Sequence, residues 1–376
     1  MKVEQIRWTP EEGWAFGANG RSADLLLVFG DREALEGSSA LTDLAERHPQ
    51  AGIVGCSTAG EILDTTVTDG DIVATSVRFD STRVRIASAP ISAAASGAEL
   101  GRHLGAQLPH EGLRYVLVLS EGVSVNGSEL SKGLTAGLPP GVLVTGGLSG
   151  DAASFNRTVV VSGGRTCDAT VVVVGFYGDA LRVGHGCLGG WDPFGPDRVV
   201  TRSEGNVLYE LDGRSALNLY KTYLGDHAAR LPSSALLFPL SIDAPDKEGT
   251  LVRTVLAVDE EQQTMTFAGD IPNGARARFM KANFDRLVDG AHGAAAASLQ
   301  TLGGVGAELA ILISCVGRKL VLDQRIEEEV EGVREVLGPE AALTGFYSYG
   351  EISPLTSGTA CELHNQTMTV TTLSES

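Results

Sequence analysis

At 376 residues, 43% hydrophobic and 20% charged, the chain has ordinary globular composition and exceeds a usual single domain, so two domains or one large two-lobed body is expected. Its formal net charge is -18 and it has no dense Lys/Arg run, which argues against a nucleic-acid partner, because phosphates demand a basic stripe. The polar start MKVEQIRWTPEEGW lacks the apolar core of a secretory signal. The longest apolar runs, such as residues 171–177, are far too short to span a bilayer, so a cytoplasmic protein without membrane insertion is expected.

Along the chain, a strand at residues 24–30 (DLLLVFG) leads into a helical segment at 33–48, a second strand at 52–55 and the small polar loop CSTAGE. Alternating segments at 72–79 and 84–89 then read as a half-buried hairpin, giving the order β-α-β-loop-β-β. A weaker copy follows: strand 115–119, short helix 128–137, and residues 142–151, which contain GGLSGD and place Asp151 where a glutamate stands in the other copies. Residues 184–201 (GHGCLGGWDPFGPDRVVT) are too rich in Gly and Pro for one regular element and are read as the crossing between lobes. After a turn at 211–213 and a helix from Ser215, the second lobe starts near Leu224, dividing the chain into 1–223 and 224–376. It adds strands at 235–240, 251–258 and 264–267, then a helix at about 273–289 whose solvated face carries Arg276, Arg278 and Lys281. The order β-α-β-loop-β recurs at the end: strand 309–314, helix 324–337 ended by Gly338-Pro339, strand 342–346, the loop YSYGEI, and a strand at 366–373. The fold class is therefore α/β, two lobes with mixed sheets built from repeated β-α-β-loop-β-β units.

The two matched loops, GCSTAGEI (55–62) and GFYSYGEI (345–352), carry the main site expectation. A glycine-framed turn exposes backbone N–H groups and small hydroxyls, here Ser57, Thr58 and Ser348, beside Gly60 and Gly350, while Glu61 or Glu351 supplies charge. That set suits an amino-acid-like ligand, its carboxylate on N–H groups and its ammonium on a glutamate. Equally, each glutamate could accept hydrogen bonds from its own turn. Tyr347 and Tyr349 belong to the second loop, and His364 with Asn365 in CELHNQT is placed near it across one hairpin, as a ligand contact or a haem ligand. His185 beside Cys187 is a second haem-ligand candidate, but no donor set for a dedicated metal site follows at a recognisable spacing.

Cys56 and Cys315 each end a core strand. A nucleophilic thiol needs a basic partner, and buried strand-end cysteines are commonly inert. Arg318 could clamp a ligand carboxylate or pair with a glutamate. The five cysteines, Cys56, Cys167, Cys187, Cys315 and Cys361, form no CxxC pair and are expected to be reduced thiols. No GxxxxGK[ST], GxSxG or HExxH is present, and GGVG at 303–306 precedes a strand instead of following one, so no catalytic residues are assigned.

With these residues in hand, the chain resembles FIST-domain proteins over roughly 24–373. The carrying motifs are GIVGCSTAGEI, GHGC, VTRSEGNVLYELDG, SCVGRKLVL, GFYSYGEISP and ELHNQTMTV, in that order. The resemblance implies a sensory module in signal transduction that binds small ligands such as amino acids. Some stand-alone members of the family are haem proteins that sense nitric oxide and control a partner histidine kinase or cyclic-di-GMP enzyme, so haem is the alternative cofactor. Related chains often carry Gly-Cys-Arg-Pro at the crossing, where this one has Gly186-Cys187-Leu188-Gly189, which puts any contact by that arginine in doubt.

Overall fold

A computed structural model describes residues 1–15, 22–231, 233–244, 249–356 and 358–375. The fold is mixed α/β and contains three copies of one unit. In the first copy, strand Leu25–Gly30 runs parallel to Gly52–Ser57, with Ile72–Arg78 antiparallel to the former and Lys2–Thr9 beyond it. Strands Leu113–Ser120, Leu143–Leu148, Thr170–Tyr177 and Arg83–Pro90 repeat this arrangement in the second. Leu309–Cys315, Ala342–Ser348, Met368–Glu375 and Leu181–Leu188 repeat it in the third. The weak middle repeat is thus a full copy.

Each unit donates a hairpin to a neighbour. The first unit's Glu61–Leu63 pairs with the third unit's Ala342–Ser348. The third unit's Gly350–Pro354 pairs with the second unit's Leu143–Leu148, and the second unit's Val160–Ser162 pairs with the first unit's Gly52–Ser57. The exchange closes into a ring. One glycine per unit marks the equivalence: a Cβ on Gly55, Gly146 or Gly345 would lie 1.7, 1.8 or 1.8 Å from the carbonyl oxygen of Val28, Val118 or Leu312 on the adjacent parallel strand. Between the sheets, hydroxyls stitch the copies together, with Thr145 to Thr371 and Thr75 to Thr344 both at 2.8 Å, and Tyr115 bonds Thr145 at 2.7 Å within the second unit.

The second lobe is a β-rich module inserted in the third unit, running from strand Asp192–Glu204 to strand Arg276–Lys281 around the helix Ala216–Leu224. Its own core includes Leu208, Tyr220, Phe267 and Phe279. Asp192 pairs with Lys281, so both ends of the insertion leave the body side by side. Residues 223 and 224, where the sequence pattern placed the division, lie at the end of that helix, inside the module.

Several local expectations change. Residues 184–201 are mostly strand, Leu181–Leu188 and Asp192–Glu204, and their glycines serve packing. A Cβ on Gly184 or Gly186 would come within 2.1 Å of a carbonyl oxygen, Ser298 or Ala294, of the helix Phe284–Leu302. That helix presents Gly290, Ala291, Ala294, Ala295 and Ser298 to the body, so both surfaces are small enough for close approach. The helix expected at 273–289 is instead the strand Arg276–Lys281 followed by the start of Phe284–Leu302. Arg276, Arg278 and Lys281 therefore lie on a strand, whose pattern RARFMK buries Ala277, Phe279 and Met280. The strand expected at 235–240 is a 3-10 turn, Ser233–Leu237, with strand Leu240–Asp243 after it. The strand expected at 251–258 is two, Leu251–Arg253 and Val255–Asp259.

Candidate functional site

The three strand-end loops meet at one pole of the body. Ala59 N–H donates to the Tyr347 carbonyl and Tyr347 N–H to the Gly60 carbonyl, both at 2.8 Å. Gly150 N–H reaches the Ser57 carbonyl at 2.9 Å and Tyr349 N–H the Leu148 carbonyl at 3.2 Å. The GCSTAGEI and GFYSYGEI loops are therefore neighbours, with the middle loop locked between them.

Their acidic residues face inward. Thr58 Oγ1 donates to Glu61 Oε1 at 2.5 Å, and Ser348 Oγ donates to Glu351 Oε1 at 2.7 Å. Glu351 Oε2 also accepts from Thr367 N–H at 3.2 Å and Thr367 Oγ1 at 2.8 Å. Burial pushes each carboxyl up to about 8. In the unfolded chain a glutamate ionises near pH 4.3, roughly, so the folded form holds extra protons between that value and about 8. Their contribution is complete below the lower value and is lost as pH rises through the window. Buried His48 and His185 are lowered by desolvation and act with opposite sign, so the effect must be read as a difference. Glu351→Gln is expected to equal the parent near pH 5 and to exceed it in stability at pH 8, removing on the order of 1.4 kcal/mol per pH unit of slope. Urea unfolding across pH checks this; identical slopes for parent and variant would refute it.

The other expected site residues divide into groups. Arg318 is fully buried and committed: Nε donates to Glu329 Oε2 at 2.7 Å, Nη2 donates to the Leu287 carbonyl at 2.7 Å, and Nη1 donates to the Gly189 carbonyl. The glutamate-pairing alternative is the one realised, so the clamp for a ligand carboxylate is withdrawn. Tyr347 Oη and Ser314 Oγ donate to the same Glu329, at 3.0 and 2.9 Å. Ser57 Oγ accepts from Val159 N–H at 3.0 Å. Burial pushes the Cys56 and Cys315 thiols up, against thiolate formation. His364 is buried, its Nε2 donating to the Ser353 carbonyl at 2.9 Å. Asn365 beside it is buried, with both amide atoms unpartnered among the described residues. His185 stands on Leu181–Leu188 in the third unit with Nε2 buried and unpartnered among the described residues, two positions from the buried Cys187. Among the described residues no group of three or more His, Cys, Asp or Glu is placed to hold a metal ion.

Tyr349 is the pole residue that reaches outward. Its hydroxyl donates to Asp151 Oδ1 and accepts from the N–H groups of Asp151 and Phe155 at 3.1 and 3.0 Å. Its ring stacks on Phe155 at 4.2 Å and 15°. These two rings line a pocket of about 280 Å³ between body and module. The body contributes residues 122–127, Leu148, Phe155 and Tyr349; the module contributes Asn206, Leu256 and Phe267 to Asp270. Val123, Phe155 and Leu256 are exposed large hydrophobics, at 46%, 39% and 42%, and all three lie on this pocket. Sequence reading found Tyr349 and missed the rest, because the module wall comes from an insertion with no local signal linking it to residues 122–127. Lys319 was also missed: its Nζ donates to the Ala59 carbonyl at 2.8 Å and pairs with Asp69, bracing the GCSTAGEI loop.

Residues 24–214 match the FIST N domain and residues 216–354 the FIST C domain, so the chain belongs to the FIST family of signal-transduction sensor domains. No curated protein matches it. Among solved structures, a cyanuric acid hydrolase from A. caulinodans aligns over 100% of this chain and 98% of its own, at 9% identity and TM-score 0.36. A second cyanuric acid hydrolase covers 100% and 99% at 8% identity and TM-score 0.33. PurLQS from Thermotoga maritima covers 85% and 74% at 8% identity and TM-score 0.23. These likenesses are too distant to carry an argument about chemistry. Among the described residues no helix is long and apolar enough to cross a membrane.

Proposed function

We propose that this FIST protein is a non-catalytic cytoplasmic sensor that takes an amino-acid-like metabolite in the pocket between body and module. It reports to a separate signalling protein, such as a histidine kinase or a cyclic-di-GMP enzyme. The observation that carries this reading is the pocket itself: one wall is the loop pole, the other an inserted module, and apolar residues from both lie open to solvent on it. A ligand bridging two bodies favours one relative placement of them, and only such differential affinity can transmit a signal. The Glu61 and Glu351 loops then act as the rigid floor that positions Tyr349.

A thermal-shift screen of amino acids and related metabolites tests the reading. A ligand at about one hundred times its Kd stabilises by about 2.7 kcal/mol. That shift is expected to disappear in Leu256→Trp, which fills the mouth, while the unliganded melting temperature stays near the parent's. Ligand shifts that persist in Leu256→Trp would refute the assignment. Because His185 Nε2 is buried without a partner among the described residues, a haemin titration runs alongside. A saturating Soret band lost on His185→Ala, or on His364→Ala, would replace the metabolite reading by haem sensing.

A further inference from the structure

We infer that the interlobe pocket selects an organic cation, a protonated or alkylated amine on a short apolar or aromatic body, and discriminates against the matching carboxylate. The inference rests on the pocket reading above and goes further by assigning the charge of the ligand. Among the described residues, Asp270 is the one charged side chain on the pocket wall, which carries no lysine or arginine. Its carboxylate is 31% exposed and only loosely engaged, with Asn126 Nδ2 at 3.4 Å and Lys132 Nζ at 3.9 Å. The stacked rings of Phe155 and Tyr349 line the same pocket. A carboxylate sharing a pocket with aromatic rings favours an ammonium, which gains from the ring quadrupole as well as from the ion pair, whereas an anion meets repulsion from both.

The surrounding charges must be weighed as well. Glu121 lies behind the loop that forms the body wall, accepting from the N–H groups of Val123 and Ser124 at 2.7 Å each. The helix Gly127–Ala136 begins at the pocket, and its positive end is partly neutralised by the Asn126 cap on Ser128 and Glu129 and by Glu129 in its first turn. Besides Lys132, a second cation near Asp270 is Arg253, buried behind Gly269. Its guanidinium is turned to carbonyl oxygens, with Nε donating to Asp270 O at 3.3 Å and Nη1 donating to Leu363 O at 3.0 Å. It therefore lies outside the pocket lining, and the side chain offered to a ligand is Asp270.

Calorimetric titration of the 376-residue chain with phenethylamine, 2-phenylethanol and 3-phenylpropionate separates charge from shape. The amine is expected to bind about tenfold or more tightly than the alcohol, with 3-phenylpropionate weakest. Asp270→Asn is expected to bring amine and alcohol to equal affinity, and Lys132→Gln, which removes the competing ammonium, to tighten the amine alone. A purely structural role for Asp270 would weaken all three probes together and would leave Lys132→Gln without effect, overturning the inference. Binding of 3-phenylpropionate as tight as that of the amine would overturn it too, while leaving the pocket reading intact. No binding by any of the three would sink both.

Discussion

Residues 1–215 expressed alone are expected to give insoluble protein, although the family boundary falls between 214 and 216. The cut removes the strand Gly350–Pro354 that pairs with Leu143–Leu148, through Gly146 with Ile352 and Gly147 with Glu351. It also strands the hairpin Glu61–Leu63, whose partners Thr344, Gly345 and Phe346 are gone. Two unpaired edges and buried residues such as Ile62, Leu148 and Val118 would then face water, the conditions under which sheets aggregate. Removing residues 192–281 is the informative contrast. Because Asp192 and Lys281 sit side by side, a short Gly-Ser link can close the gap and leave all three units paired. This deletion is expected to remain soluble, with a lower melting temperature because Met280 leaves a shared cluster with Trp191, Leu287, Val321 and Leu322. It should bind no ligand. Soluble yield and far-UV circular dichroism read both constructions, and a soluble, folded 1–215 fragment would refute the ring of exchanged hairpins.

The second large effect concerns the buried ion pair. Arg318 and Glu329 are both 0% exposed, and their charges offset each other inside the third unit. Arg318→Met leaves Glu329 with Ser314 and Tyr347 as its remaining donors, and Glu329→Gln leaves a buried guanidinium against carbonyls only. Each substitution is expected to destabilise by about 3–5 kcal/mol, since removing one partner exposes the full desolvation cost of the other. Arg318→Met combined with Glu329→Gln should cost less than the sum of the two, because neither charge remains. Urea unfolding of the four proteins measures the coupling. Additive losses would mean that the pair is not a unit.

Much of the unit was readable without coordinates. Strands such as Leu309–Cys315 and helices such as Ile326–Leu337 show in apolar periodicity, and the two Gly-Glu-Ile loops show by their matched length and position. Burial and backbone sterics act within a few residues, so this information is local. The middle repeat was faint because its loop, GGLSGD, places Asp151 one position earlier after its marker Gly146 than Glu61 stands after Gly55. The crossing at 184–201 was misread because glycine and proline density imitates a loop. Gly184 and Gly186 are in fact required by a helix lying directly on the strand. Likewise residues 273–289 read as one helix, because the six residues of RARFMK are too few to separate the strand period from the helical one.

Other features have no local expression. Nothing near Glu61 indicates that its strand will pair with Phe346, some 285 positions away, and nothing near Tyr349 announces Leu256 or Asp270 across a pocket. Residue pattern alone sufficed for the repeat, the matched loops with their acids and the family. Which unit receives each hairpin, how Arg318 is spent and where a ligand could enter depended on long-range packing, because hydrogen-bond partners for a strand edge and the walls of a pocket are chosen only when distant segments compete for the same surface.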